Sequence, residues 1–171
     1  MFLLSKETLI KHGYLKNQIK ISPFKQTNLI KTFYYFSAGD TLKMLSPKEE
    51  IIDLEKTQKA TIPPNGFGLI KSREFFDFDS SIMALFGNIS DLVKRGLQII
   101  NSPSIDPGFQ GHLTLGIKNL TENPIDISFD EKIGKILFFN VADTVLEFGL
   151  LVDEAELREK LTGRKSGDEF L

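Results

Sequence analysis

Hydrophobic and polar residues alternate along much of this chain, and a period of two is what a β-strand with one buried face requires. Residues that favour turns, such as those of Ser46–Pro47, Pro63–Gly66 and Glu122–Pro124, interrupt the alternation at short intervals. Many short strands separated in this way are typical of a barrel or a sandwich. The predicted strands are Glu49–Leu54, Phe67–Ile70, Ser81–Phe86, Leu97–Ile100, His112–Ile117, Ile125–Phe129, Ile133–Phe139 and Val145–Leu150.

Two segments depart from this period and predict helices. Ser5 can cap a short helix over Leu4–His12, close to the N-terminus. Towards the C-terminus, a cap-like aspartate and pairs of opposite charge four residues apart favour a second helix over Asp153–Leu161. No repeat or linker divides the chain, so we predict a single domain over residues 1–162 and a flexible tail over residues 163–171.

The composition limits which kinds of protein this chain can be. Its 171 residues are enough for a proper core, and the lack of cysteine excludes disulfides and zinc–thiolate sites. The net charge is −2 and the 21 basic residues are scattered, whereas a nucleic-acid-binding face concentrates them. No apolar run approaches the roughly 18 residues of a membrane span, so we expect a cytoplasmic protein that binds neither nucleic acid nor membrane. Aromatic clusters at Phe33–Phe36, Phe75–Phe78 and Phe138–Phe139 are expected to pack inside a barrel or at a subunit seam.

The stretch Ser104–Gly111 carries the most specific chemistry. Asp106 stands on a Pro-Gly turn, and the ring of Phe109 follows three positions later. Because Pro fixes φ and Gly accepts turn geometries that other residues avoid, both side chains would be held on a rigid edge of the sheet. A carboxylate can take a sugar hydroxyl or activate a water, and a ring can pack under the apolar face of a sugar. Taken alone, the same residues also describe an ordinary β-turn between two strands.

This stretch resembles the sugar-binding motif of the dCTP deaminase and dUTPase family, in which an Ile-Asp-Pro-Gly-aromatic-x-Gly run opens a strand. The likeness covers roughly residues 3–145 and is closer to the deaminase branch than to the short dUTPases. It implies an all-β fold, the dUTPase-like distorted β-barrel (β-clip), here with a short N-terminal helix and a C-terminal helix. Other similar segments, in the same order, are Ile19–Phe24, Ile62–Ile70 with Glu74, Gly87–Leu97, Asn119, Pro124–Ile125 and Lys132–Phe138.

The resemblance also implies a ligand and an assembly. Members of the family form homotrimers with active sites between subunits, and they bind a deoxynucleoside triphosphate that carries Mg²⁺ on its phosphates. By that likeness Asp106 would meet the deoxyribose 3′-hydroxyl or a nucleophilic water. Phe109 would pack against the sugar and leave no room for a ribose 2′-hydroxyl.

The phosphate end of such a site is less well specified. Ser90 could supply a hydroxyl, and Lys94 and Arg95 could supply cationic groups near a short turn. Lys135 could add a point charge. The pair Lys94 and Arg95 is equally well explained as exposed residues of a turn.

Two positions depart from the family pattern. Deaminases of the family carry a glutamate in the strand after the Asp-Pro-Gly turn, where it moves protons during water attack on cytosine; that position is Gly116 here. The family's Arg-Ser-Ser segment reads Asn88, Ile89 and Ser90, so its arginine is absent, and one extra residue before Gly96 leaves the alignment of Ser90 open. Because losing a general base typically slows a reaction by about 10²–10⁴-fold, we expect deamination to be impaired.

Three functions are left open by these residues. The chain could bind a deoxynucleoside triphosphate without turnover. It could be an active hydrolase, either a dUTP or dNTP pyrophosphatase or a dCTP deaminase with a relocated base, with Asp106 as the catalytic carboxylate. It could also be a structural trimer whose pocket is filled by side chains. His112 shares a face with Thr114 and Gly116 by alternation, and could look into the site or be an ordinary half-exposed strand histidine.

Overall fold

The computed structural model describes residues 1–142, which form a curled β-sheet, a half-barrel, with a few short helices. The helices are α1 (Lys6–Lys11), α2 (Tyr14–Asn17), α3 (Leu54–Thr57) and α4 (Ser90–Arg95), with one 3-10 turn at Gln26–Asn28. The strands are β1 (Phe2–Leu3), β2 (Ile19–Ser22), β3 (Leu29–Ile30), β4 (Phe33–Ser46), β5 (Glu50–Asp53), β6 (Lys59–Ile62), β7 (Phe67–Phe78), β8 (Ile82–Asn88), β9 (Leu97–Ile100), β10 (Ser104–Ile105), β11 (Gln110–Asn119), β12 (Ile125–Ser128) and β13 (Lys132–Asn140). The predicted all-β fold is confirmed.

Most of the elements predicted from periodicity are present. Strand β9 has the predicted bounds, and the Oγ atom of Ser5 accepts the backbone N–H of Thr8 at 3.2 Å, as expected of the cap of α1. Strand β7 continues eight residues beyond its predicted end at Ile70, to Phe78. The long strand β4 was not predicted at all, although it lies at the centre of the sheet.

The predicted C-terminal elements lie outside the described residues. These elements are the strand Val145–Leu150, the helix Asp153–Leu161 and the tail over residues 163–171. Among residues 1–142, no helix combines the length and the apolar character that crossing a membrane requires.

Neighbouring strands of the sheet run antiparallel in the order β10-β8-β13-β4-β7-β11-β9. Strand β8 joins the regions that carry the predicted site residues. At one end it pairs Ala84 with Ile105 of β10, and near the other end it pairs Gly87 with Lys135 of β13. Strand β11 pairs with β7 and, over its last four residues, with β9.

The aromatic clusters form much of the core, as predicted. Phe36, Phe76 and Phe138 are fully buried. The ring of Phe36 meets that of Phe76 edge to face with centroids 6.4 Å apart, and Phe78 meets Phe138 in the same way at 5.7 Å. Such contacts add to the burial of apolar area, so these rings hold the two halves of the sheet together.

A buried asparagine fastens the end of β11 to the turns beside it. Asn119 is fully buried, and its side-chain nitrogen donates to the carbonyl groups of Ile62, Pro63 and Asn123 at 3.1, 3.1 and 2.7 Å. Its Oδ1 atom accepts from the backbone N–H and the hydroxyl of Thr121, each at 2.9 Å. Carbonyl groups buried without a hydrogen-bond partner destabilise a fold. The amide of Asn119 therefore stabilises these turns by donating to their carbonyl groups.

Candidate functional site

The Asp-Pro-Gly segment forms a tight turn that leaves its carboxylate in solvent. The carbonyl of Asp106 accepts the N–H of Phe109 at 3.2 Å, and Gly108 has φ of +72°. Proline at the second position and a glycine with positive φ at the third are the features of a type II turn. Asp106 is exposed directly after β10, so its carboxylate is free to meet a ligand or a water from outside.

The ring of Phe109 lies against the sheet rather than standing free in solvent. Its centroid is 6.3 Å from that of Phe78, and its Cζ atom lies 3.4 Å from the place where a Cβ on Gly111 would be. Gly111, the second residue of β11, has φ of +154°, a backbone conformation that residues with a side chain rarely adopt, and the ring of Phe109 lies over it. Phe109 is half-buried, and its remaining surface borders the turn that carries Asp106.

Strand β11 follows this turn and leads to Gly116, which is buried. The pairing of β9 with β11 ends with Ile100 opposite Gly116, and Asn101 follows directly. The side-chain nitrogen of Asn101 donates to the carbonyl of Thr114 at 3.2 Å and holds this segment in place. Sequence reasoning missed Asn101, since nothing in the chain indicates which carbonyl its amide would reach.

Gly116 has no room for a side chain. A Cβ at this position would lie 2.7 Å from the backbone oxygen of Ile100 and 3.0 Å from the ring of Phe67. Real Cβ atoms essentially never come within 3.0 Å of a heavy atom beyond their own residue and its chain neighbours, and a backbone oxygen in a paired strand cannot move aside alone. The ring of Phe67 therefore covers the position where the family resemblance implies a glutamate.

The segment that follows β8 is built differently from its prediction as a turn. Asn88 ends β8, and its Oδ1 atom accepts the backbone N–H of Ile99 at 2.8 Å, which ties β8 to β9. Ser90 begins the six-residue helix α4 and is exposed, while Ile89 holds the cap position without a side-chain hydrogen bond. Lys94 and Arg95 are exposed, as one of the two interpretations of this pair expected, but they lie in the last turn of a helix that ends at Gly96 and not in an isolated turn.

The three predicted cations are not equally available to a ligand. Arg95 donates through one guanidinium nitrogen to Oε1 of Glu131 and through another to the backbone oxygen of Asp126. The ammonium group of Lys135 lies 5.5 Å from the centroid of the Phe33 ring, a weak contact that a phosphate could replace. Lys94 is exposed and makes no ion pair within the described part of the chain.

The predicted residues form two separate groups along β8. Lys135 lies opposite Gly87 and close to the start of α4, while Asp106 follows Ile105, which lies opposite Ala84. Ala84 and Asn88 are four residues apart on one strand, a distance of roughly 13 Å at about 3.3 Å per residue. Asp106 and Ser90 lie beyond these two residues in opposite directions, so a single chain does not bring them into one compact pocket.

A cavity of about 260 Å³ on the outer face of β7 contains none of the predicted site residues. Its lining includes His112, whose Nδ1 atom lies 3.0 Å from the carbonyl oxygen of Ser72, so this histidine is a half-buried strand residue already engaged with backbone. Lys71 and Arg73 line the cavity as well, and each is paired with an aspartate. Within residues 1–142, no three His, Asp or Glu side chains gather in an arrangement that could hold a metal ion.

Comparison with known sequences finds close agreement over the same range of residues. A family model described as dCTP deaminase-like matches residues 3–141. A dCTP deaminase of Pyrococcus horikoshii is 27% identical over 129 residues, which cover 75% of this chain and 80% of that protein. A dCTP deaminase of Nautilia profundicola is 34% identical over 86 residues, covering 50% of this chain and 46% of that protein.

Solved structures show the same architecture. The crystal structure of 2′-deoxycytidine 5′-triphosphate deaminase from Agrobacterium tumefaciens has a TM-score of 0.66 at 14% identity and covers 87% of this chain. The match covers 52% of that chain, so the present chain spans about half of its length. A mutant dUTPase from the Staphylococcus aureus phage phi11, described with a structural Mg(II) ion, has a TM-score of 0.51 at 12% identity and covers 72% of this chain and 91% of its own. At these identities the likeness concerns the fold.

Proposed function

The chain belongs to the dCTP deaminase-like family, and on that premise we propose that it binds a deoxynucleoside triphosphate while the family's deamination is impaired. The observation that carries this proposal is the packing around Gly116. Attack of water on a cytosine ring needs a group that moves protons beside the base. The oxygen of Ile100 and the ring of Phe67 close the space that such a side chain would need.

Two residues support the sugar end of the proposed site. The turn holds Asp106 in solvent, where its carboxylate can accept a hydrogen bond from a 3′-hydroxyl. The half-buried ring of Phe109 supplies an apolar wall beside it. A ribose 2′-hydroxyl pressed against such a wall would lose its hydrogen bonds, a difference of about 1–3 kcal/mol that favours deoxyribose.

The phosphate end of the site would come from a second copy of the chain. Ser90, Lys94 and Lys135 are the groups with capacity for phosphate oxygens, and they lie at the other end of β8 from Asp106. We therefore propose a homotrimer in which Asp106 and Phe109 of one copy face Ser90 and Lys135 of its neighbour. The Mg²⁺ would arrive on the triphosphate and neutralise part of its charge.

The first experiment separates binding from turnover. The purified protein with Mg²⁺ is mixed with dCTP, dUTP or dTTP, or with the ribonucleotide of the same base, and its melting temperature and the reaction products are followed together. We expect stabilisation by deoxynucleotides but not by ribonucleotides, with no release of ammonia. If no nucleotide raises the melting temperature, binding is refuted and a structural role for the barrel is favoured.

A second experiment tests whether the site is shared. The variants Asp106→Ala and Lys135→Ala should each lose most nucleotide binding, because each lacks one end of the site. When the two variants are unfolded together and refolded as mixed trimers, roughly a quarter of the sites should regain both groups by random assembly. The matched control is each variant refolded alone, which should regain none. Failure of the mixture to recover binding would contradict a site built from two copies.

Triphosphate cleavage is the second candidate, because the exposed carboxylate of Asp106 could activate a water without any group at position 116. Mg²⁺ and the cations at the phosphate end would stabilise the charge that develops at phosphorus. Release of pyrophosphate from a deoxynucleotide, abolished in Asp106→Asn, would establish this activity in place of simple binding. Pyrophosphate release that persists in that variant would exclude this site as its source.

A further inference from the structure

The carboxyl group of Glu74 and the backbone of Asp130 contact the same short stretch of β4. Glu74, on β7, is fully buried, and its Oε2 atom accepts the backbone N–H of Ser37 at 2.8 Å. The backbone N–H of Asp130 donates to the carbonyl of Ala38, the next residue, at 3.0 Å. The two residues therefore meet at the junction of β4, β7 and the turn between β12 and β13, where the charge of Asp130 acts on Glu74.

The two groups have unequal partners. The Oδ2 atom of Asp130 accepts from Nζ of Lys25 at 2.5 Å and from the guanidinium of Arg73 at 2.6 Å. The other oxygen of each group, Oδ1 of Asp130 and Oε1 of Glu74, is buried and has no hydrogen-bond partner within residues 1–142. An oxygen buried in this way has lost its water without a replacement, which destabilises the fold.

We propose that a single proton joins these two oxygens, so that Glu74 is a neutral acid that donates from Oε1 to Oδ1 of an ionised Asp130. Two ionised carboxylates offer only acceptors, whereas one proton between them satisfies both oxygens through a short charge-assisted hydrogen bond. The proton belongs on Glu74, because two cations already stabilise the charge of Asp130 while the carboxyl of Glu74 has only the backbone amides of Ser37 and of Glu74 itself beside it. The shared proton connects β7 to the β12–β13 turn, and the hydrogen bond from Ser37 to Glu74 connects both to β4.

The electrostatic surroundings agree with this assignment. Burial raises the pKa of Glu74 above its ordinary value of 4.5; the hydrogen bond from Ser37 opposes the rise, and the charge of Asp130 adds to it. Burial acts in the same direction on Asp130, but the hydrogen bonds from Lys25 and Arg73 outweigh it, so the pKa of Asp130 is lowered.

The sign of the resulting pH dependence follows from the raised pKa of Glu74. Its contribution to stability is fully present below the unfolded-state pKa, near 4.5, and is lost as the pH rises through the native pKa. Between these two values the folding equilibrium constant should fall by up to about tenfold for each pH unit, the effect of one proton. The lowered pKa of Asp130 acts in the opposite sense and only in more acidic solution, where its carboxylate takes up a proton.

Other charged and titratable groups face the same junction and must be separated from Glu74 in any test. Ser72 connects the junction to β11, since its hydroxyl donates to the carbonyl of Glu74 at 2.7 Å and accepts the N–H of Leu113 at 2.8 Å. Each of these other groups must be the same in the proteins compared. The groups concerned are Lys25, Tyr34, Arg73 and His112.

The test compares the full chain with Glu74→Gln, whose amide can still donate to Asp130 but cannot titrate. Urea unfolding is measured from pH 5 to pH 8 on both proteins and on the control Glu49→Gln, whose exposed carboxylate pairs with Lys43. We expect the folding equilibrium constant of the wild type and of the control to fall with rising pH. In Glu74→Gln this fall should be smaller by the contribution of one proton. In parallel, ¹³C NMR of labelled glutamate carboxyl groups in the wild type should show one group that titrates above 4.5.

Two results would overturn the proposal. One is a folded Glu74→Gln protein whose stability depends on pH as steeply as that of the wild type. The other is a Glu74 carboxyl resonance, assigned by its loss in the variant or through its own backbone, that titrates at or below 4.5. If Glu74→Gln does not fold, the NMR titration of the wild type decides the question on its own.

Discussion

Replacing Gly116 with alanine tests the packing on which the proposed loss of deamination depends. The added Cβ would lie 2.7 Å from the backbone oxygen of Ile100 and 3.0 Å from the ring of Phe67, whereas close C···O contacts begin at about 3.3 Å. Overpacking of this kind destabilises the folded protein by about 1–3 kcal/mol. Alanine also lowers the conformational entropy of the unfolded chain, which offsets about 0.4–1 kcal/mol of that loss. We expect a net loss of about 1–2 kcal/mol in the free energy of unfolding and a melting temperature lower by roughly 2–8 °C.

Gly87 provides the matched control for this substitution. It also lies in a strand, but nothing stands within 4 Å of the place where its Cβ would be. Gly87→Ala should therefore be neutral within about 0.5 kcal/mol, or stabilise by up to about 1 kcal/mol. Urea unfolding of both variants gives the comparison, and equal stability of the two would refute the lack of room at position 116.

The two contacts at Gly116 can then be separated. Adding Phe67→Ala to Gly116→Ala removes the ring but leaves the backbone oxygen of Ile100 in place. The double variant should recover only part of the stability lost at residue 116, after correction for the effect of Phe67→Ala alone. Full recovery would show that β9 itself leaves room for a side chain, so that a glutamate could be restored together with a smaller residue at position 67.

Three further substitutions probe the site and its supports. Asp106→Asn should abolish stabilisation by deoxynucleotides while changing the stability of the free protein by less than about 0.5 kcal/mol, because the side chain is exposed; melting with and without ligand measures both. Asn119→Ala should destabilise by about 3 kcal/mol or more in urea unfolding, because it removes a buried amide that satisfies several backbone groups. Asn88→Arg, which restores the family's residue, should lower the free energy of unfolding by about 1–2 kcal/mol, because the N–H of Ile99 loses its acceptor. It should not produce deamination, because position 116 still has no room for a side chain.

Strands with strict alternation could be predicted from the sequence, and those that bury polar groups could not. Strand β9 has the predicted bounds because its buried leucine and isoleucine alternate with exposed residues. Strand β7 was cut short at Ile70 because Ser72 and Glu74, which point inwards, read as exposed polar residues. Strand β4 escaped prediction because four consecutive residues, Phe36 to Gly39, are all buried, so no period of two is visible there.

In the candidate site, features that depend on neighbouring residues could be predicted, and contacts between distant residues could not. The turn at Asp106 could be predicted because proline and glycine act locally on the backbone, and its hydrogen bond and positive φ have the expected form. The engagement of Arg95 with Glu131 could not, since it joins residues 36 positions apart in the chain. The position of the Phe67 ring over Gly116 could not be predicted either, because the register between β7 and β11 decides which residue lies there.

The face of the sheet on which each carboxylate lies limits which one could act as a catalytic base. Glu74 is fully buried inside the half-barrel, and one of its oxygens is occupied by the N–H of Ser37. Gly116 belongs to the opposite face, because it lies opposite Leu69, and the side chains of Leu69 and Glu74 lie on different faces of β7. A base relocated to Glu74 would have to act through the sheet, which no proton transfer over hydrogen-bond distances can do. Loss of pyrophosphate release in Asp106→Asn would therefore assign hydrolysis to the proposed site, whereas release that persists would place its source elsewhere.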